Sequence, residues 1–296
     1  MSVSLRCYST SLGCPKNRVD TERLLGSLGV ALVPVESPDE AELVFINTCA
    51  FIQPATEESV RTIAQAIADI EELPKRPLLA VAGCLVGRYH AEELAPELPE
   101  VDLWLDNSDL EAWPAMLARK LGLPEPTVPG RILSTGPSYA WLKISDGCRH
   151  ACSFCAIPNI RGGHRSHCKD MIVREARALL DQGVKELNLV AQDLTEWGCD
   201  LDGKQDLRTL LDGLLPLPGL ERLRLMYLYP AGMTHEMLKY LREAGKPFVP
   251  YFDVPVQHSH PDVLSRMGRP FARNPREAID RIRNVFPEAA LRTSIM

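Results

Sequence analysis

Three thiols stand close together in Cys148-Arg-His-Ala-Cys152-Ser-Phe-Cys155, a C-x3-C-x2-C run. Three thiolates on one short loop can hold three irons of a cubane 4Fe-4S cluster and leave the fourth iron open to a substrate or cofactor. An open iron implies chemistry rather than electron storage. The competing reading is a structural zinc site completed by His150, His164 or His167, although the paired C-x2-C knuckles of zinc ribbons are missing. A second set, Cys14, Cys49 and Cys84, recurs at intervals of 35 residues. Each of the three closely follows a run that reads as a β-strand. Parallel strands deliver their C-terminal ends to one edge of a sheet, so these thiols are expected to converge there. Gly13 and Gly83, which precede two of them, would let the backbone turn closely past a bulky inorganic ligand. The alternative is three unrelated small core cysteines.

The elements that must position these thiols are legible as alternating patterns. Strands are expected at 5–10, 42–47, 78–82 and 101–105, with an amphipathic crossover helix over 56–73 behind an N-cap at Thr56. The stretch 122–138 has linker composition, with prolines at 124, 126, 129 and 137. Beyond it, strands are expected at 139–145, 186–192, 220–228, 248–256 and 290–295. Helices are expected at 170–182, 207–215, 234–244 and 274–285, the last with Pro275 at its first position. Strand, helix, strand alternation of this kind predicts parallel α/β architecture in two domains, 1–121 and 139–296. The last strand runs to Met296 with no helix behind it, so the chain reads as cut off within its second domain.

Composition narrows the classes. The 296 residues are 45% apolar and 24% charged, and the net charge of -6 argues against coating nucleic acid by bulk electrostatics. The charge is uneven: residues 1–138 carry 11 basic and 20 acidic groups, whereas residues 139–296 carry 22 and 19, so an anionic group is expected to bind the second half. No apolar run approaches the roughly 20 residues that span a bilayer, and the first residues lack a signal-peptide layout. A cytoplasmic protein with no membrane partner is therefore expected. In a reducing cytosol nine cysteines are read as ligands rather than as a disulfide framework. Cys7, Cys168 and Cys199 are read as structural or incidental. Gln257-His258-Ser259-His260 is a poor chelate pattern and is assigned no metal.

The C-x3-C-x2-C loop, with aromatic Phe154 just before its last cysteine, resembles the signature of the radical S-adenosylmethionine enzymes. The resemblance implies a partial parallel (β/α) barrel with the cluster loop at the C-terminal mouth of its first strand, and an open iron that chelates S-adenosylmethionine. It also implies cofactor-binding roles for Phe154, Gln192, Asp193 and Arg161. A capping carboxylate explains Asp193 equally well, and a solvated surface position is the alternative for Arg161 and for its neighbours Arg149 and Arg165. Two three-cysteine sites in one chain are similar to the methylthiotransferases, whose N-terminal α/β domain holds a second 4Fe-4S cluster. Ser11-Leu-Gly-Cys14-Pro-Lys-Asn17 and Cys152-Ser-Phe-Cys155-Ala-Ile-Pro-Asn-Ile-Arg161-Gly resemble the RimO branch of that family.

That branch modifies the β-carbon of an aspartate in small-subunit ribosomal protein twelve. The cofactors implied are two 4Fe-4S clusters and S-adenosylmethionine. The partners implied are that protein or the ribosome, and a reductant such as flavodoxin; the sulfur donor is left unassigned. The tRNA-modifying branch, which usually has Gly-Cys-Gln-Met-Asn around its first cysteine, is the alternative enzyme, and a non-catalytic iron or zinc protein the alternative of another class. Two departures stand out. His167-Cys168 occupy positions where the family usually has a basic residue and proline, and the family continues past Met296 into the rest of the barrel and a TRAM domain. The chain alone is expected to be inactive or poorly active.

Overall fold

The computed structural model describes residues 4–271 and 273–296. Residues 1–3 of the expected first domain and Ala272 of the second lie outside the described residues. The chain divides into two compact units, Met1–Ser134 with Asn159–Arg161, and Thr135–Pro158 with Gly162–Met296.

The first unit runs β1 (Ser4–Ser11), α1 (Pro15–Ser27), β2 (Ala31–Pro34), β3 (Leu43–Thr48), α2 (Gln53–Ile70), β4 (Leu78–Gly83), α3 (Cys84–Leu94), β5 (Leu103–Leu105) and α4 (Trp113–Leu121). Its five strands form one parallel sheet in the order β2-β1-β3-β4-β5. Every residue of β3 is buried, and β4 is buried except at its first residue, as expected of central parallel strands covered on both faces. Leu5, Cys7, Leu43, Phe45 and Ala80 pack with Leu24 and Leu25 of α1 and with Trp113 and Leu117 of α4. Cys7 is therefore a core residue.

The second unit runs β6 (Tyr139–Lys143), β7 (Ser145–Asp146), α5 (Ile157–Arg161, its last three residues clustering with the first unit), β8 (Arg165–Ser166), α6 (Lys169–Asp181), β9 (Glu186–Val190), α7 (Leu207–Leu214), β10 (Arg222–Leu225), α8 (His235–Ala244), β11 (Phe248–Asp253), α9 (Pro261–Arg266), α10 (Glu277–Val285) and β12 (Ala290–Arg292). Five parallel strands lie in the order β12-β11-β10-β9-β6, with helical connections between them, while β7 and β8 pair antiparallel.

Several expectations need correction. Helix α2 begins three residues before Thr56, because Pro54 needs no N–H partner in a first turn, and the Thr56 hydroxyl donates back to the Ile52 carbonyl instead of capping. Helix α10 starts at Glu277; Asn274 to Arg276 form a turn closed by the Glu277 N–H on the Asn274 carbonyl. The segment 122–138 is not free linker. Gly122 caps α4 with φ +69°, and Arg131 and Ser134 bind the buried Glu22 carboxylate of α1. Edge strand β2 escapes sequence reading because it is short and exposed.

Helix α7 is set by two local features. Leu207, Leu210, Leu211 and Leu214 form a fully buried stripe, each contributing about 1.5–3 kcal/mol. Asp206 accepts the Thr209 N–H at 3.0 Å while the Thr209 side chain returns to the Asp206 N–H, a reciprocal cap. Partial burial pushes the Asp206 carboxyl up, but the Thr209 N–H and the Arg208 guanidinium outweigh it and hold the group below the usual aspartate range. Asp206→Ala is expected to cost about 0.5–2 kcal/mol in urea unfolding. Because the folded-state pKa is lowered, the difference from wild type should be full above about pH 4 and shrink as pH falls through the folded value.

Candidate metal centres

The first set of thiols gathers at the C-terminal ends of three neighbouring strands. Cys14 follows β1 and immediately precedes α1, Cys49 directly follows β3, and Cys84 follows β4 as the first residue of α3. Gly13 and Gly83 take φ +82° and +97°. Both glycines also pass close to protein. A Cβ on Gly13 would lie 2.7 Å from Cys49 Sγ, and one on Gly83 would meet Thr48 and the Asn47 side chain.

Asn17 ties the three loops together. Its amide donates to the carbonyls of Leu12 (3.0 Å) and Thr48 (2.8 Å), and its Oδ1 lies 3.7 Å from Cys84 Sγ. Ser59 clasps Cys49 from the other side, accepting its N–H and donating to its carbonyl. Helix α1 buries Lys16, Asn17, Asp20 and Glu22. That polar burial breaks the apolar periodicity, which is why α1 is not legible in the sequence.

Arg161 is bound to side chains of α1. Its guanidinium is almost fully buried, donates to Asn17 Oδ1 at 2.5 Å and pairs with Asp20 at 3.1 Å. A buried cation needs a buried anion, and Asp20 supplies it. Burial pushes the Cys14 thiol up, but Lys16, Arg161 and the N–H groups of Asn17 and Lys16 outweigh it and bring the thiol below its usual range. Cys49 is pushed up by burial, with the charges of Cys84 and Cys14 adding to it.

The second set lies on the loop that leaves β6 and β7. The antiparallel pairing of β7 with β8 closes the base of this loop, and Gly147, at φ +68°, passes so near Gly163 that a Cβ would meet its carbonyl. Cys148 N–H donates to the Gly162 carbonyl, Cys155 N–H to the Cys152 carbonyl, and Ser153 is held by the carbonyls of Met267 and Arg266. Burial pushes the Cys148 thiol up to about 11, with Asp193, Cys155 and Cys152 contributing. Burial also raises Cys152, which Arg269 partly offsets. Cys155 and Cys152 oppose ionisation of Cys148, and Cys155 that of Cys152, a repulsion that a shared cationic ligand would relieve.

Around this loop the side chains form a connected set. His150 bonds Asp193 Oδ2 at 2.7 Å and stacks on Tyr229 with ring centroids 4.0 Å apart. The Arg269 guanidinium lies over Tyr229, Phe154 and Phe271 at 5.0–5.7 Å. Asp193 Oδ1 takes the N–H and hydroxyl of Thr195, so both carboxylate oxygens are engaged by protein and Asp193 acts as a cap that also orients His150. Gln192, at the C-terminal end of β9, is different: both carboxamide atoms are buried without a hydrogen-bond partner. A buried unpaired amide is costly, and it fits a residue that awaits a polar ligand. Tyr229 and Arg269 carry no motif that would single them out in one sequence, and His150, weighed there as a zinc ligand, is instead bonded to Asp193.

Single-ion sites have a different geometry. A tetrahedral zinc ion with bonds of about 2.0–2.3 Å brings its donors within about 4 Å of one another. Among the described residues, the groups of three or more metal-competent donors within 4.8 Å of one another are His164, Cys199 and Asp200, and His150, Asp193 and Glu196. Neither thiol triad meets that limit, and neither His150 nor His164 completes one. Among the described residues, no helix is long and apolar enough to cross a membrane.

Both halves of the chain match known families. Residues 6–106 match the family described as uncharacterized protein family UPF0004, and residues 142–296 match the radical SAM superfamily. A protein of Nitratidesulfovibrio vulgaris named ribosomal protein uS12 methylthiotransferase RimO is 69% identical over 98% of this chain and 67% of its own length. A protein of the same name from Lawsonia intracellularis is 61% identical over 100% of this chain and 67% of its own length. This chain thus spans about two thirds of the length of those relatives. Among solved structures, the radical S-adenosylmethionine methyltransferase TsrM from Kitasatospora setae superposes with a TM-score of 0.66 at 14% identity, covering all of this chain and 66% of that one, which is a likeness of fold.

The loop-tying role of Asn17 is open to test. Asn17→Ala strands the carbonyls of Leu12 and Thr48 and is expected to cost roughly 1–3 kcal/mol in urea unfolding. Asn17→Ala at wild-type stability would show that the loops are held some other way.

Proposed function

The chain belongs to the radical S-adenosylmethionine methylthiotransferases of the RimO type, and from that membership we propose that it places a methylthio group on the β-carbon of an aspartate in small-subunit ribosomal protein twelve. Its cofactors are 4Fe-4S clusters and S-adenosylmethionine. Cys14, Cys49 and Cys84 would hold the auxiliary cluster, and Cys148, Cys152 and Cys155 the cluster that binds S-adenosylmethionine. The observation that carries this reading is the pair of three-thiol sets, each placed beyond the C-terminal ends of parallel strands. When bound, these groups supply one-electron cleavage of a sulfonium and a sulfur for transfer.

The chemistry explains why such groups are needed. The β-carbon of an aspartate carries hydrogens that no side-chain base near pH 7 can remove, since general bases work on groups of comparable pKa. The protein's own residues bind, orient and balance charge. Cys148, Cys152 and Cys155 sit on a loop braced by β7, β8 and α9. Arg269 brings a positive charge beside Cys152, offsetting the anionic character of a thiolate set. Lys16 and Arg161 do the same beside Cys14. Gln192 offers an unpaired donor and acceptor at the strand ends where barrels of this kind bind ligands. A reductant such as flavodoxin would supply the electron.

Two outcomes are expected. Gln192→Leu in the reconstituted chain should weaken S-adenosylmethionine binding by about 1–3 kcal/mol, read by equilibrium dialysis, with iron content unchanged. Deleting the gene should remove the methylthio mark from ribosomal protein twelve while leaving tRNA marks intact, read by mass spectrometry of both. Loss of a tRNA mark alone would overturn the substrate assignment.

A further inference from the structure

His164, Cys199 and Asp200 form a donor group that the reading above does not use. It belongs wholly to the second unit and contains neither thiol triad. His164 lies two residues before Ser166, the last residue of β8, and Cys199 and Asp200 lie on the loop that leaves the C-terminal end of β9. Their imidazole, thiol and carboxylate donor atoms all lie within 4.8 Å of one another.

The details point to a cation. His164 Nε2 and Asp200 Oδ1 face each other at 3.6 Å, too far for a hydrogen bond and close to the roughly 3.3–3.8 Å that separates two donors on one tetrahedral ion. The His164 side chain is 3% exposed, so it is fixed in place before any ligand arrives. Asp200 is held by its other oxygen, which accepts the Ser166 N–H at 2.8 Å and leaves Oδ1 aimed at the imidazole. Ser166 Oγ accepts the Gly198 N–H at 2.9 Å and lies 3.0 Å from His164 Nε2, so the same serine braces the imidazole and the turn that carries Cys199. Gly198 takes φ +91° and a Cβ there would lie 2.8 Å from the Gln205 backbone, so the turn presenting Cys199 is restricted to glycine. The thiol itself is exposed, leaving a coordination position for solvent.

We propose that His164 Nε2, Cys199 Sγ and Asp200 Oδ1 bind one zinc-class divalent ion, with water as the fourth ligand. One nitrogen, one sulfur and one oxygen donor suit zinc. Binding releases the Cys199 proton to solvent and joins the β9 loop to β8, and hence to the base of the loop that carries Cys148. The site does not depend on the cluster assignment, since none of its donors belongs to either triad.

Two exposed free thiols, Cys199 and Cys168, make the test internal to the wild-type chain. The anaerobically reconstituted chain is stripped of loose metal, given equimolar zinc and alkylated with iodoacetamide, and labelling is followed on separate peptides. Zinc should slow labelling of Cys199 about 10-fold or more and leave Cys168 unchanged. His164→Gln should abolish the protection with iron and sulfide content unaltered. Equal labelling of Cys199 with and without zinc, or protection that survives His164→Gln, would overturn the proposal. The six triad cysteines report separately, so a failure of the cluster reading would be visible as such.

Discussion

A parallel sheet delivers the C-terminal ends of all its strands to one edge, and the chemistry of this chain depends on that constraint. In the first unit the three adjacent strands β1, β3 and β4 each end at or just before a cysteine. Thiols 35 residues apart in sequence thereby become neighbours without any local motif. In the second unit, the first strand of the sheet feeds the loop with three cysteines, and β9 brings Gln192 and Asp193 to the same edge. The central strands β3 and β4 are ordinary apolar runs, whereas β1 and β10 alternate apolar with polar or charged residues. What distinguishes the site is the set of polar residues placed just beyond them.

Those residues address one electrostatic problem. Neighbouring thiols resist ionising together, and the structure places a cation beside each set. Arg161 is paired with Asp20, while Arg269 rests on the faces of Tyr229, Phe154 and Phe271. A guanidinium over an aromatic ring keeps its charge at little desolvation cost. Both thiol sets thus have a guanidinium close by.

How much of this was legible in the sequence follows from the same division of labour. Central strands such as β3 and β4 announced themselves by unbroken apolar runs, and α6 to α8 by stripes and caps such as Thr234. The six cysteines were legible from spacing and from their places after strands. Helix α1 was not, because its buried face carries Lys16, Asn17, Asp20 and Glu22 for the site and the stabilising straps. The partners of Arg161 in α1, Asn17 and Asp20, are not legible, because sequence proximity to Cys155 says nothing about which anion it meets. His150 and Tyr229 become intelligible only once β10 and the cluster loop are brought together in three dimensions.

The most direct test of the central claim is iron and acid-labile sulfide analysis of the anaerobically reconstituted chain, alongside two variants in which either Cys14, Cys49 and Cys84 or Cys148, Cys152 and Cys155 are replaced by alanine. The account predicts about eight irons and eight sulfides in the wild type and about four of each in either variant. Triads filled by zinc without sulfide, or a variant that keeps the full wild-type iron, would contradict it.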